Sequence, residues 1–231
     1  MKLVVVPASA HRIMPWKIGR GSTTELCTSL TSGDRAAEAT TRRPRDTERA
    51  GEDEWSWRLS IADVPEAGPF SKFEGVDRLI ACVSGEGMRV RVDGAWHDVP
   101  SRGAALAFRG EAACEGAPVG SGVRDINLMT RRSMWSAAMA VVLAGDEWSS
   151  FVDGCSGPDP FATWLVHALD APLELGFPDR YLALKPGETA VVQGATPCMA
   201  RRQNPPAAAR TVVARLQPLD AARVGIGSSG T

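Results

Sequence analysis

Residues 55–78, WSWRLSIADVPEAGPFSKFEGVDR, decide the fold of this chain. Their first half alternates strictly, with Trp55, Trp57, Leu59 and Ile61 on one face and Ser56, Arg58, Ser60 and Ala62 on the other. A period of two predicts a strand with its apolar face in a core. We expect both tryptophans on that packing face. The opposite face carries Arg58 and Ser60, which can meet water or a ligand.

The second half of this stretch is irregular. The chain breaks at Pro65, and residues 65–78 then carry Phe70 and Phe73 on either side of a polar pair. Proline and glycine at this density predict a loop. We interpret this loop as the rim of a site, and Asp77–Arg78 as a structural turn pair that closes it.

Composition describes an ordinary globular protein. The 231 residues are 44% apolar and 23% charged, with a net charge of -1. The balanced charge provides no general attraction to nucleic acid or to a membrane surface. No run approaches the roughly 20 apolar residues that cross a bilayer, and the apolar run at residues 3–6 is too short for a signal-peptide core. We therefore expect a cytoplasmic protein.

Short strands separated by turn signals continue along the chain. Met88, Val90 and Val92 alternate with charged residues, and the Asp93–Gly94 turn follows. Residues 133–142 fit a strand, although their alanines leave a helix open. About six strands in each half favour an all-β fold, a duplicated jelly roll. We place one barrel at residues 1–142 and a smaller one at 155–216.

Two segments differ from this pattern. Residues 31–54 mix both charge signs and contain almost no large apolar side chain, so they predict a long mobile loop within the first barrel, with a lid or docking segment as the alternative. Residues 217–231 predict a disordered tail rich in glycine and serine.

The residue types that hold metals are scattered. The five cysteines include no C-x-x-C pair, and the three histidines, His11, His97 and His167, are far apart in sequence. The sequence therefore predicts no metal, no cofactor and no disulfide framework. No G-x-S-x-G nucleophile motif is present either.

Four segments, in the same order, resemble the HutD/Ves family. They are MPWKIGRGSTTEL at residues 14–26, WSWRLSIADVPEAGPFSKFEGVDR, GEGMRVRVDG at 85–94 and VRDINLMTRR at 123–132. The resemblance implies a bicupin, two cupin (RmlC-like jelly-roll) barrels made of double-stranded β-helices in one chain. It also implies a part in histidine utilisation, where such proteins bind a small metabolite and restrain the pathway, with no established catalysis.

The chain departs from the family pattern at one loop. The family reads W-K-N-G-G-G where this sequence has Ile18 and Arg20 in place of the asparagine and the middle glycine. A glycine permits positive φ or close backbone approach, which Arg20 does not. The charged segment 31–54 is also longer than the family pattern.

The candidate ligand-binding residues are polar groups and apolar walls of the first barrel. They are Trp16, Lys17, Glu25, Arg58, Ser60, Phe70, Asp125, Asn127 and Met129. Arg58 is suited to bind a carboxylate through two hydrogen bonds. The structural alternative is that Arg58 pairs with Glu25 or Asp125 and joins two strands.

Three functions remain open. The first is a metal-free binding protein for a small carboxylate metabolite of the urocanate, formiminoglutamate or formylglutamate type. The second is a cofactor-free cupin isomerase or hydrolase that uses Glu25 or Asp125 as general base. The third is a structural module that forms a homodimer through its outer sheet faces. The residues favour a binding protein over an enzyme, and no partnership with nucleic acid or membrane.

Overall fold

A computed structural model describes residues 1–16, 21–30, 55–143, 160–199 and 209–219. Lys17, Ile18, Arg20, the charged segment 31–54 and the tail beyond residue 219 lie outside the described residues. The described residues contain no helix long and apolar enough to cross a membrane.

Strands make up nearly all the regular structure of the described residues, with one 3-10 turn at Ala8–Ala10. The first ten strands are β1 Lys2–Val6, β2 Arg12–Pro15, β3 Ser22–Thr28, β4 Trp57–Val64, β5 Gly68–Pro69, β6 Val76–Ser84, β7 Met88–Val92, β8 Ala95–Val99, β9 Gly103–Ala104 and β10 Leu106–Arg109. The others are β11 Cys114–Pro118, β12 Val123–Arg131, β13 Trp135–Leu143, β14 Thr163–Ala168, β15 Leu173–Gly176, β16 Tyr181–Leu184, β17 Thr189–Gln193, β18 Cys198–Met199 and β19 Arg210–Pro218. The all-β prediction is confirmed.

These strands form four antiparallel sheets. Sheet 1 has the order β10-β6-β12-β4-β3-β2, and sheet 2 has the order β5-β11-β7-β8. Sheet 3 has the order β1-β17-β14-β19-β13-β9, and sheet 4 has the order β16-β15-β18. Sheet 3 thus takes β1, β9 and β13 from the first 143 residues, so hydrogen bonds interleave the two halves of the chain. The boundaries at residues 142 and 155 stay a prediction.

Sheets 1 and 3 pack face to face because each has one predominantly apolar face. Trp57, Leu59 and Ile61 of β4 meet a layer that includes Leu165 and Val212 of sheet 3, all buried. Residues at alternate positions of a strand point to opposite faces, so this arrangement leaves the other face of each sheet free to cover its own smaller sheet. Sheet 1 with sheet 2 is called the first sandwich below, and sheet 3 with sheet 4 the second.

The structure tests three local predictions. Residues 133–142 are a strand and not a helix, since β13 pairs with β19 along its full length. Asp77 and Arg78 are not a turn, because β6 begins two residues before Arg78. Trp55 precedes β4 and packs with Val76 and Met129, away from the Trp57 layer, so the expectation of two tryptophans on one face is wrong for Trp55.

Candidate functional site

The inner face of sheet 1 carries a block of polar side chains in register. On this face Arg58 of β4 lies opposite Met129 of β12, and Met129 lies opposite Arg78 of β6. Neighbouring strands are about 4.8 Å apart, so the two arginines start roughly 10 Å apart. That separation allows both guanidinium groups to reach one small ligand between them.

The next two rows continue the polar block. Glu25, Ser60 and Asn127 form one row across β3, β4 and β12. Asp125 lies two residues from Asn127 on the same face, opposite Ala62. A β-bulge in β3 between Glu25 and Cys27 shifts the register by one residue, so that Thr28 lies opposite Arg58.

Aromatic rings hold the two guanidinium groups. The Arg78 guanidinium carbon lies 5.1 Å from the centre of the Phe70 ring and 5.2 Å from that of Phe108. The Arg58 carbon lies 5.4 Å from the Trp55 ring, and both arginines lie within 6 Å of Phe73. Such cation–π contacts favour a fixed guanidinium whose edge can still donate hydrogen bonds.

Arg78 has lost almost all contact with water, since only 6% of its surface is exposed. Its Nη1 donates to the Ser71 carbonyl at 3.4 Å, and its Nε has no hydrogen-bond partner among the described residues. Burial lowers the pKa of this guanidinium from its usual value. A buried cation with spare donors favours the entry of an anion.

Two buried acceptors lie beside these donors. Asp125 and Asn127 are 2% and 6% exposed, and the Oδ1 atom of each lacks a hydrogen-bond partner within the described part of the chain. Burial raises the pKa of Asp125 to about 7, while the nearby Arg78 opposes that rise. An unpaired buried polar atom costs about 1–3 kcal/mol, a cost that a bound ligand can remove.

The other predicted site residues occupy the same sandwich. Trp16 and Phe70 pack against its buried core, and Trp16 Nε1 donates to Thr23 Oγ1 at 2.9 Å. Arg58 Nη2 lies 3.4 Å from Met129 Sδ. Glu25 forms an ion pair with Arg12 at 3.7 Å. The structural alternative had paired Glu25 with Arg58.

Sequence reasoning missed Arg78, Phe108 and the role of Trp55. The sequence contained a signal for Arg78, because positions 78, 80 and 82 alternate along one strand and therefore lie on the same face. No local signal identified Phe108, whose contact with Arg78 depends on the pairing of β10 with β6.

The donor set of this block does not fit the histidine-rich metal site of cupin enzymes. Among its described side chains only Glu25 and Asp125 are carboxylates, and they lie in different rows. No three His, Cys, Asp or Glu residues form a metal-binding group anywhere in the described ranges.

Comparison with known proteins identifies the family. The HutD family model matches residues 8–208. A relative described as an uncharacterized 21.2 kDa protein in the hutC 3' region of Pseudomonas putida is 37% identical over 132 residues, 55% of this chain. The alignment spans 58% of that relative's length.

Solved structures agree over nearly the whole chain. A conserved protein of unknown function from Pseudomonas aeruginosa matches with a TM-score of 0.70 and 25% identity, over 94% of this chain and 99% of the other. HutD from Pseudomonas fluorescens, solved in a formate condition, matches with a TM-score of 0.63 and 24% identity over the same shares. The prediction of a cupin-type jelly roll is confirmed, and the chain belongs to the HutD family.

Proposed function

We propose that this chain binds a small carboxylate metabolite of histidine breakdown inside the first sandwich, and that binding modulates histidine utilisation. The observation that carries the proposal is the row Arg58–Met129–Arg78, in which two arginines lie on one inner face with a single residue between them. Guanidinium groups match carboxylates through paired hydrogen bonds.

The charge of the block supports an anionic ligand. Arg58 and Arg78 are positive, and Asp125, with its pKa raised to about 7, is only partly ionised at neutral pH. The set of these three groups is therefore positive, and a ligand with one or two carboxylates would neutralise it. Arg78 is buried and its Nε has no hydrogen-bond partner among the described residues, so a carboxylate would give this cation a hydrogen-bonded counter-charge.

The acceptors support a ligand that also carries an N–H group. Asn127 Oδ1 and Asp125 Oδ1 are buried and without a hydrogen-bond partner among the described residues. A formamide, formimino or imidazole N–H would satisfy one of them. Urocanate, formiminoglutamate and formylglutamate each combine such a group with carboxylate.

The relatives support the biological setting. The family is HutD, and one relative is described by its position in the hutC 3' region of Pseudomonas putida. Neither description names a ligand, so the ligand class rests on the two arginines and their neighbours.

Thermal unfolding with the three metabolites tests the proposal. A ligand at 100 times its dissociation constant should raise the free energy of unfolding by about 2.7 kcal/mol. Arg58→Met and Arg78→Met should each abolish the shift, while Arg91→Met on the exposed face of β7 should retain it. Absence of a shift with all three metabolites at millimolar concentration would contradict the proposal.

A second candidate is catalysis by Asp125. A carboxylate with a pKa near 7 is suited to act as a general base at neutral pH. Isomerase or hydrolase turnover of the same metabolites, lost in Asp125→Asn but not in Glu25→Gln, would support this function. Equal product formation by wild type and both variants would exclude these base assignments.

A further inference from the structure

A second cleft lies on the other side of sheet 1, where its edge meets sheet 3. Its volume is about 420 Å³, which is within the usual range for small-molecule pockets. The side chains that build it include Leu79 of β6, Thr130 of β12 and Trp135 of β13. Leu79 and Thr130 lie on the face of sheet 1 opposite to Arg58, while Arg78 and Phe108 also line the cleft along the β6–β10 edge, so the cleft adjoins the Arg58–Arg78 block there.

The cleft forms because β9 is short. It pairs only with Ala140 and Val141 of β13, and Ala105 N–H adds one bond to the Met139 carbonyl. On this side, no described strand covers β13 at residues 135–137. The edge of sheet 3 is open there, and the space between the two sheets is accessible from it.

Two residues that line the cleft each carry a buried polar atom without a hydrogen-bond partner among the described residues. Thr130 and Trp135 are 1% and 7% exposed, and neither Thr130 Oγ1 nor Trp135 Nε1 has a hydrogen-bond partner within the described residues. Thr130 in β12 and Trp135 in β13 flank the turn by which the chain crosses from sheet 1 to sheet 3, and in that turn Met134 N–H donates to the Arg131 carbonyl at 2.9 Å. An indole N–H only donates, so it requires an acceptor.

The mouth of the cleft carries one arginine available for a ligand. Arg132 is occupied, since it donates to Asp77 Oδ1 at 2.6 Å and to both carboxylate oxygens of Glu111. Arg109 is exposed on the edge strand β10, and no ion pair within the described ranges engages it. Leu219, 39% exposed, forms an apolar wall nearby.

We propose that this cleft is a second binding site, for a small carboxylate with an apolar body. The carboxylate would meet Arg109 at the mouth, and the apolar body would lie against Leu79 and Leu219, beside the side chains of Trp135 and Thr130. This assignment does not rest on the function proposed for the Arg58–Arg78 block, although Arg78 and Phe108 line both places.

Indole N–H resonances provide a direct test, with benzoate as the probe. Trp135 reports on the cleft, and Trp16, whose Nε1 donates to Thr23, reports on the first sandwich. We expect benzoate to shift the resonance that disappears in Trp135→Phe and to leave the Trp16 resonance unmoved. Benzamide, which has the same shape but no charge, should bind more weakly.

Variants separate the two sites. Arg109→Gln should weaken benzoate binding by roughly fivefold or more, from the loss of one charge-assisted contact. Thr130→Val should weaken it less, and Arg91→Gln on sheet 2 and Arg58→Met should not change it. A shift of Trp16 alone, equal binding by wild type and Arg109→Gln, or no shift at millimolar benzoate would each overturn the proposal.

Discussion

Gly116 of β11 lies directly beneath the ring of Phe70, so that a methyl group added at Gly116 would stand 2.6 Å from Phe70 Cε1. The same ring lies 5.1 Å from the Arg78 guanidinium carbon. Gly116→Ala should therefore displace the ring from Arg78 and weaken carboxylate binding several-fold. Because the obstructing atoms are the far end of one side chain, the loss of stability should be small, below about 1 kcal/mol.

Gly68 provides the matched control for this substitution. It lies opposite Gly116 in the pairing of β5 with β11, and a methyl group there would meet nothing within 4 Å. Gly68→Ala should leave carboxylate affinity unchanged in isothermal titration. If both alanine variants bind like wild type, the Phe70 ring has no part in holding Arg78 for the ligand.

Asp125 should make anion binding depend on pH. Its pKa is raised to about 7, so lowering the pH from 8 to 6 neutralises this carboxylate and makes the inner face more positive. Carboxylate affinity should increase over that interval and stay nearly constant in Asp125→Asn. Titrations at several pH values measure this, with a ligand whose own charge is constant in the range.

Asp125 should make the protein less stable as the pH rises, whereas a carboxylate in an ion pair makes a protein more stable as the pH rises. The folded chain holds the Asp125 proton up to about pH 7, whereas an unfolded chain releases it near 3.8. The free energy of unfolding should therefore fall as the pH rises between these values. Asp125→Asn should remove this contribution to the slope of the unfolding free energy against pH. A slope that is unchanged in Asp125→Asn would show that Asp125 is charged in the folded state.

His167 should destabilise the fold at acidic pH. It is 2% exposed and hydrogen-bonded through Nδ1 to Thr189 Oγ1 at 2.9 Å. Burial, together with the neighbouring charges of His11 and Arg124, lowers its pKa to about 4. Below about pH 6.5 this histidine is protonated in the unfolded chain but stays neutral in the folded chain. The free energy of unfolding should therefore fall as the pH drops to about 4, by about 3 kcal/mol in all.

Urea denaturation of His167→Gln between pH 7 and pH 4 measures this effect. The variant should lose stability at neutral pH but should show a flatter pH profile than wild type. Parallel profiles for the two proteins would mean that another group controls the acid transition.

Substitutions in the apolar layer between sheets 1 and 3 should destabilise the fold more than substitutions elsewhere. Leu128 of β12 is fully buried there. Leu128→Ala should reduce the free energy of unfolding by 2–5 kcal/mol, the usual range for a buried leucine. Leu30, which is 42% exposed, provides the control, and Leu30→Ala should cost less than about 0.5 kcal/mol.

Strand alternation was enough to predict much of the candidate site. A period of two places Arg58 with Ser60 and Asp125 with Asn127, because the side chains of a strand must point alternately to its two faces. The apolar layer of Leu59 and Ile61 follows from the same rule. These predictions depend only on neighbours along the chain, which explains why they agree with the structure.

Features that depend on distant pairing were not predictable in this way. The contact of Phe108 with Arg78 requires β10 to lie beside β6 in one particular register. Trp55 departs from the alternation because it precedes the strand, so its ring is free to turn towards Arg58. The interleaving of β1 with β17 likewise has no local signal.

That interleaving has a consequence for biosynthesis. β1 leaves the ribosome before the other described strands, yet its partner β17 begins at Thr189. Until then the Val4–Val6 segment has an apolar side and unpaired backbone groups, and the pairing is a contact of very long range. We expect β1 to be among the last of the described strands to join the fold, which leaves nascent chains dependent on protection from aggregation until late in translation.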